Sequence, residues 1–206
     1  MNITEIKQKI ENGAFDKDFS MLYGDVSAAR ARYTAACDSF CDIFSERDNI
    51  RLFSAPGRTE VGGNHTDHQH GCVLAGGVNL DVIAVVAPNN DGKARIKSEG
   101  YDMDTVDICK LEKDESEHGR ASALISRFKE LGCTLSGFNA YTTSNVLKGS
   151  GLSSSAAFEV LVGNIVNGMF FEAKADEITV AKIGQYAERE YFGKPCGLLD
   201  QMASSL

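Results

Sequence analysis

Asp200 lies among Leu198, Leu199 and Met202, and a carboxylate in apolar surroundings needs a partner or a chemical task. It could be paired with an arginine such as Arg58, or serve as a base toward a substrate hydroxyl, and the two readings are compatible. Arg58 follows Pro56-Gly57 and is either a surface charge or a fixed cation aimed at a carboxylate or phosphate, for which a planar, permanently charged guanidinium is suited. A second group is the run Lys148-Gly149-Ser150-Gly151-Leu152-Ser153-Ser154-Ser155, where a polar, glycine-rich loop enters a long apolar segment ending near Phe171. Gly149 and Gly151 permit positive φ, the serines can cap the first helical turn, and the free N–H groups and helix dipole favour an anion such as a phosphate. The bland alternative is a serine-rich helix cap that binds nothing. No Gly-x-Ser-x-Gly elbow and no Walker spacing is present, so a nucleophilic serine and a P-loop are set aside.

A third group is the polar stretch Arg58 to Gly71, which holds His65, Asp67, His68 and His70. Imidazole and carboxylate are metal ligands, yet this order matches no recognised ligand spacing, and a turn that hydrogen-bonds a polyhydroxylated ligand fits equally well. Glu188 and Glu190 lie near the end of a helical stretch; most such glutamates face solvent, but one could help bind a metal that bridges phosphates.

The elements that must position these groups follow from periodicity. Residues 3–48 read as a helical N-terminal appendage packed on the sheet, with Asp25 or Ser27 as a cap. Arg51–Ala55 reads as a short strand ended by Pro56-Gly57, and Leu80–Ala87 as a strong strand closed by the turn Pro88–Gly92, with partners near Ala94–Ser98 and Thr105–Ile108 in an antiparallel sheet. Asp114–Glu117 is a solvated acidic run. Arg120–Leu131 is an amphipathic helix ending at Gly132, Phe138–Leu147 is a strand, and Ile178–Tyr191 is a further helix. Strands followed by helices on one sheet give an α+β fold, with 49–206 as its main domain. The last run, Leu198–Leu206, is apolar and helix-like with no cap, and reads as part of a longer protein.

Composition narrows the function. The chain has 206 residues, 43% of them hydrophobic, enough for a sizeable core, and a net charge of −8 with no basic stripe argues against a nucleic-acid partner. No apolar run reaches the length of a membrane span, and the N-terminus lacks a signal region. Six scattered cysteines without a paired framework fit a reducing cytoplasm. The expected partner is a small molecule; the oligomeric state is not legible.

Taken together, Ala55-Pro-Gly-Arg58, Gly63-Asn-His-Thr-Asp67, Gly149-Ser-Gly-Leu-Ser-Ser-Ser-Ala156 and Pro195-Cys-Gly-Leu-Leu-Asp-Gln201 resemble, in order and spacing, the galactokinases of the GHMP small-molecule kinase superfamily. The resemblance runs from about Arg51 to Leu206. It implies a fold like the second domain of ribosomal protein S5, with the family's C-terminal GHMP domain and third glycine-rich motif absent from this sequence. It also implies ATP and Mg²⁺, with galactose phosphorylated at its anomeric hydroxyl. Asp200 would be the base and Arg58 would stabilise the developing charge. Asn64, His65, Asp67 and Gly197 would occupy the sugar-binding positions, Lys148 to Ser155 would hold the ATP phosphates, and Ser155 and Glu188 would bind Mg²⁺. Two departures stand out: the family's usual sugar-contacting glutamate is Asn64, and its usual asparagine is Glu60. The competing readings are a related kinase for another sugar, a non-catalytic sugar-responsive protein on the same scaffold, and a metal-dependent hydrolase built on His65, His68 and His70. A chain without the third motif is expected to have little or no activity by itself.

Overall fold

The computed structural model describes residues 1–111, 119–191, 193 and 195–206. The acidic run Asp114–Glu117 lies outside them, as do Phe192 and Lys194 of the segment leading to Gly197. Five strands form one sheet: β1 (Arg51–Gly62), β2 (Leu74–Pro88), β3 (Lys93–Ser98), β4 (Met103–Asp107) and β5 (Phe138–Ser144), in the spatial order β1-β2-β5-β3-β4. Helices α1 (Ile3–Glu11), α2 (Asp16–Tyr23) and α3 (Val26–Ile43) cover one face; α4 (Gly119–Glu130), α5 (Ser154–Phe170) and α6 (Glu177–Tyr186) cover the other.

The interior strand β2 explains this layering. In β2, Val82, Ala84 and Val86 join the core under α4 to α6, while the alternate residues Ile83, Val85 and Ala87 join the core under α1 to α3. Successive side chains in a strand point to opposite faces, so a strand covered on both sides becomes continuously apolar. The helix α3 is capped by Asp25, whose carboxylate accepts from the Ala28 amide at 3.0 Å. Buried Asp81 ties the first helical layer to the sheet, accepting from the Tyr23 hydroxyl at 2.6 Å, the Ser54 hydroxyl and Arg32. The result is the expected α+β fold.

Two strand expectations are corrected. The sheet is mixed: β5 lies between β2 and β3, antiparallel to the first and parallel to the second. The Pro88–Gly92 turn does not close a hairpin, because Asn89 and Gly92 donate instead to the carbonyls of Gly137 and Ser136, just ahead of β5. An uncharged strand such as β5, buried on both faces, takes the interior position, and the Lys93, Arg95 and Lys97 alternation of β3 is displaced outward. Likewise β1 does not stop at Pro56-Gly57; it runs on to Gly62 through register shifts at Pro56/Arg58 and Glu60/Gly62. An edge strand tolerates a proline that cannot donate, and a bulge absorbs the offset.

Candidate active site

Three stretches distant in sequence converge around Arg58: β1 with the polar turn that follows it, the glycine-rich loop, and the start of the helix after Leu198. From its edge position β1 carries Arg58, whose Nε donates to Asp200 Oδ1 at 2.7 Å and whose backbone amide donates to the Leu152 carbonyl at 3.0 Å. The same guanidinium donates to the Gly151 carbonyl at 2.5 Å, so one side chain holds both the proposed base and the glycine-rich loop. Asp200 is in the first turn of the short helix α7 (Leu199–Ser205), which Ser204 fixes to β1 by donating to the Pro56 carbonyl at 2.5 Å. The second Asp200 oxygen accepts from the Ser153 hydroxyl at 2.6 Å. Buried Arg58 and partly buried Asp200 are therefore a matched, hydrogen-bonded ion pair, and both carboxylate oxygens have donors.

The glycine-rich loop takes the positive-φ path that its glycines permit. Gly149 and Gly151 have φ of 80° and 78°, and the space a side chain would fill at either is open. Ser153 also has positive φ, 56°, but does not cap α5; its hydroxyl is turned to Asp200 instead. The expected serine cap is thereby corrected: the charged acceptor of Asp200 takes the hydroxyl.

The polar stretch after β1 folds back over Asp200. His65 Nε2 lies 3.4 Å from an Arg58 nitrogen, and its Nδ1 lies 3.9 Å from Asp200 Oδ1. Asp67 Oδ2 accepts from the Leu199 amide at 2.8 Å, docking the loop on the start of α7. A Cβ on Gly197 would stand 1.7 Å from that same oxygen, so only glycine permits the approach. His68 donates from Nδ1 to the His65 carbonyl at 2.7 Å. Among the described residues no group of three His, Cys, Asp or Glu side chains is placed to hold a metal.

Six of the sequence-predicted residues, His65, Asp67, Ser155, Glu188, Gly197 and Asp200, line a cavity of about 240 Å³. Asn64 does not; it is exposed, with φ of 55°. A neighbouring cavity of about 290 Å³ between β3, β5, α4 and α5 is lined by Val82, Ile96 and Phe158 together with Lys148, Ser154 and Ser155. Ser155 borders both.

Beneath Ser155 lies a charged cluster that the sequence reading missed. Glu159, fully buried on α5, takes Arg120 of α4 on Oε1 at 2.5 Å and the Gln201 amide of α7 on Oε2 at 3.0 Å. Arg120 also donates to Glu188, which sits in the single π-helical turn after α6. Burial, then the hydrogen bond and charge of Glu188, push the Glu159 carboxyl well above the ordinary carboxylate range, against the pull of Gln201 and Arg120. The available signal was Glu159 itself, a lone charge in an apolar helix; nothing in the sequence marks Arg120 as its partner.

Comparisons with known proteins agree with this geometry. Residues 120–206 match the N-terminal domain of GHMP kinases, and residues 38–88 match the galactokinase galactose-binding signature. The fold is that of the N-terminal domain of GHMP kinases. The chain's similarity within that family is to galactokinases. It is 32% identical to the Bacillus subtilis galactokinase over 170 residues, covering 80% of this chain and 43% of that protein. It is 38% identical to the Lactobacillus helveticus galactokinase over 159 residues, covering 74% and 41%. The crystal structure of Lactococcus lactis galactokinase complexed with galactose superposes with a TM-score of 0.76 at 27% identity, covering 82% of this chain and 45% of that one. The chain thus spans less than half the length of these relatives. Among the described residues no helix is long and apolar enough to cross a membrane.

Proposed function

We propose that the chain is the N-terminal half of an ATP-dependent galactokinase, which converts galactose and ATP to galactose 1-phosphate and ADP in a reducing cytoplasm. The observation that carries this reading is Asp200, held between Arg58 and Ser153 on the wall of the cavity that His65, Asp67, Ser155 and Glu188 also line.

Phosphoryl transfer asks chiefly for positioning and charge stabilisation. His65, Asp67 and the backbone at Gly197 would hold sugar hydroxyls and set the anomeric hydroxyl beside Asp200. As the sugar oxygen bonds to the γ-phosphorus and the bond to the β-phosphate oxygen breaks, Asp200 takes the hydroxyl proton. Arg58 stabilises the charge that develops there. Residues Lys148 to Ser155 would cradle the phosphates through backbone amides, the Lys148 cation and the amino end of α5. The oxygen donors Ser155 and Glu188 suit Mg²⁺, which takes one or two protein ligands and completes its shell with phosphates and water. Bound there, Mg²⁺ would neutralise phosphate charge.

A related sugar is the second reading, favoured by Asn64 standing outside the cavity wall. The test is phosphorus NMR of reactions containing ATP, Mg²⁺ and a panel of hexoses, using this chain extended through the C-terminal half that the relatives possess. An anomeric phosphate doublet with galactose is the expected product. Transfer to a different hydroxyl, or phosphate release without sugar phosphate, would overturn the assignment.

A further inference from the structure

Glu60 makes contacts that neither the base nor the phosphate loop accounts for. It projects from β1 between the two register shifts, and its side chain is four-fifths buried although it carries a charge. Its Oε1 accepts from the His65 backbone amide at 3.0 Å, and its Oε2 lies 3.4 Å from His65 Nε2. The held segment is strained: Asn64 and His65 have φ of 55° and 54°, consecutive left-handed residues of which neither is glycine. Such a conformation persists only where the surroundings fix it, and a carboxylate that accepts from the His65 amide and stands against its ring supplies that fixation. The ring so oriented also approaches Arg58 and Asp200, at 3.4 and 3.9 Å. Asn64, by contrast, is exposed.

We propose that Glu60 is a positioning residue for sugar recognition, acting through His65: it holds the Asn64–His65 turn in its strained form and aims the imidazole into the cavity beside Asp200. This rests on the reading of that cavity as the sugar site. A charge at position 60 thereby determines sugar affinity without touching sugar, and its contacts are to His65 rather than to the phosphate loop.

The test compares Glu60→Gln and Glu60→Ala with the wild type in the extended chain, measuring KM for galactose and KM for ATP separately. Loss of a charged hydrogen-bond partner should raise the galactose KM about tenfold in Glu60→Gln and at least as much in Glu60→Ala, with the ATP KM within a factor of about two. An unchanged galactose KM in Glu60→Gln, or equal rises in both constants, overturns the proposal. Amide hydrogen exchange at His65 reads the same clamp without turnover. The amide should exchange about tenfold faster in Glu60→Ala, and equal exchange in wild type and variant would again overturn it. A wild type that phosphorylates no sugar would instead refute the kinase reading.

Discussion

Replacing Arg120 with methionine removes the guanidinium that Glu159 and Glu188 share while keeping most of the buried stem. Glu159 is fully buried, so water cannot take over the lost interaction. Breaking a buried pair costs about 3–5 kcal/mol, against about 0–1 kcal/mol for an exposed one. For a chain of this size that lowers the melting temperature by about 6–20 °C, at about 2–4 °C per kcal/mol. The loss should depend on pH. Glu159 has a folded-state value raised above 4.5, so its contribution is intact below that pH and is lost as pH rises through the raised value. Deleting Arg120 removes an influence that lowers it, so the folded value climbs further and the deficit widens as pH increases. Urea unfolding followed by circular dichroism should show a deficit that is smallest in the ordinary carboxylate range and grows as pH is raised above it. Adding Glu159→Gln to Arg120→Met should abolish the pH dependence of that deficit. A deficit below about 1 kcal/mol at pH 8, or one that does not change with pH, would refute the reasoning.

Other outcomes follow from the same geometry. Gly197→Ala places a Cβ 1.7 Å from Asp67 Oδ2, so Asp67 must leave the Leu199 amide. The galactose KM should rise about tenfold or more in steady-state assays, and an unchanged value would show that Asp67 is not needed there. The thiols should react in two classes with a colorimetric disulfide reagent at pH 8. Exposed Cys72 and Cys109 should react at once. Buried Cys37, whose thiol burial pushes up to about 12, and buried Cys133 should react only on unfolding. Rapid labelling of Cys37 in the native protein would contradict the packing of α3 on the sheet.

Local features of this fold were legible in the sequence, and non-local ones were not. Periodicity located α4, α5 and the middle of β2, and of the two candidate caps, Asp25 and Ser27, it is Asp25 that starts α3. The N-terminal helical stretch is interrupted twice, at Gly13 and Gly24, which take φ of 78° and 75°; both glycines were visible as breakers. The place of β5 was hidden, because alternation shows which faces of a strand are buried but not which strands flank it. The continuation of β1 past Pro56 depends on bulges and on the contact between Arg58 and Leu152, neither of which has a local signature. At the site, the Arg58–Asp200 pair was foreseeable because an apolar setting demands a counter-charge. The turning of Ser153 from a helix cap to Asp200 was not, since it depends on a partner 47 residues away.

The most direct test of the central claim is galactose-dependent ADP release by the extended chain, measured for wild type and Asp200→Asn at saturating ATP and Mg²⁺. The account predicts turnover that requires galactose and falls by about 10²–10⁴-fold in the variant, with its fold preserved because the asparagine oxygen still accepts from Arg58 while its NH2 group donates to the Ser153 hydroxyl. Turnover by the variant within tenfold of wild type, or ADP release indifferent to galactose, would contradict it.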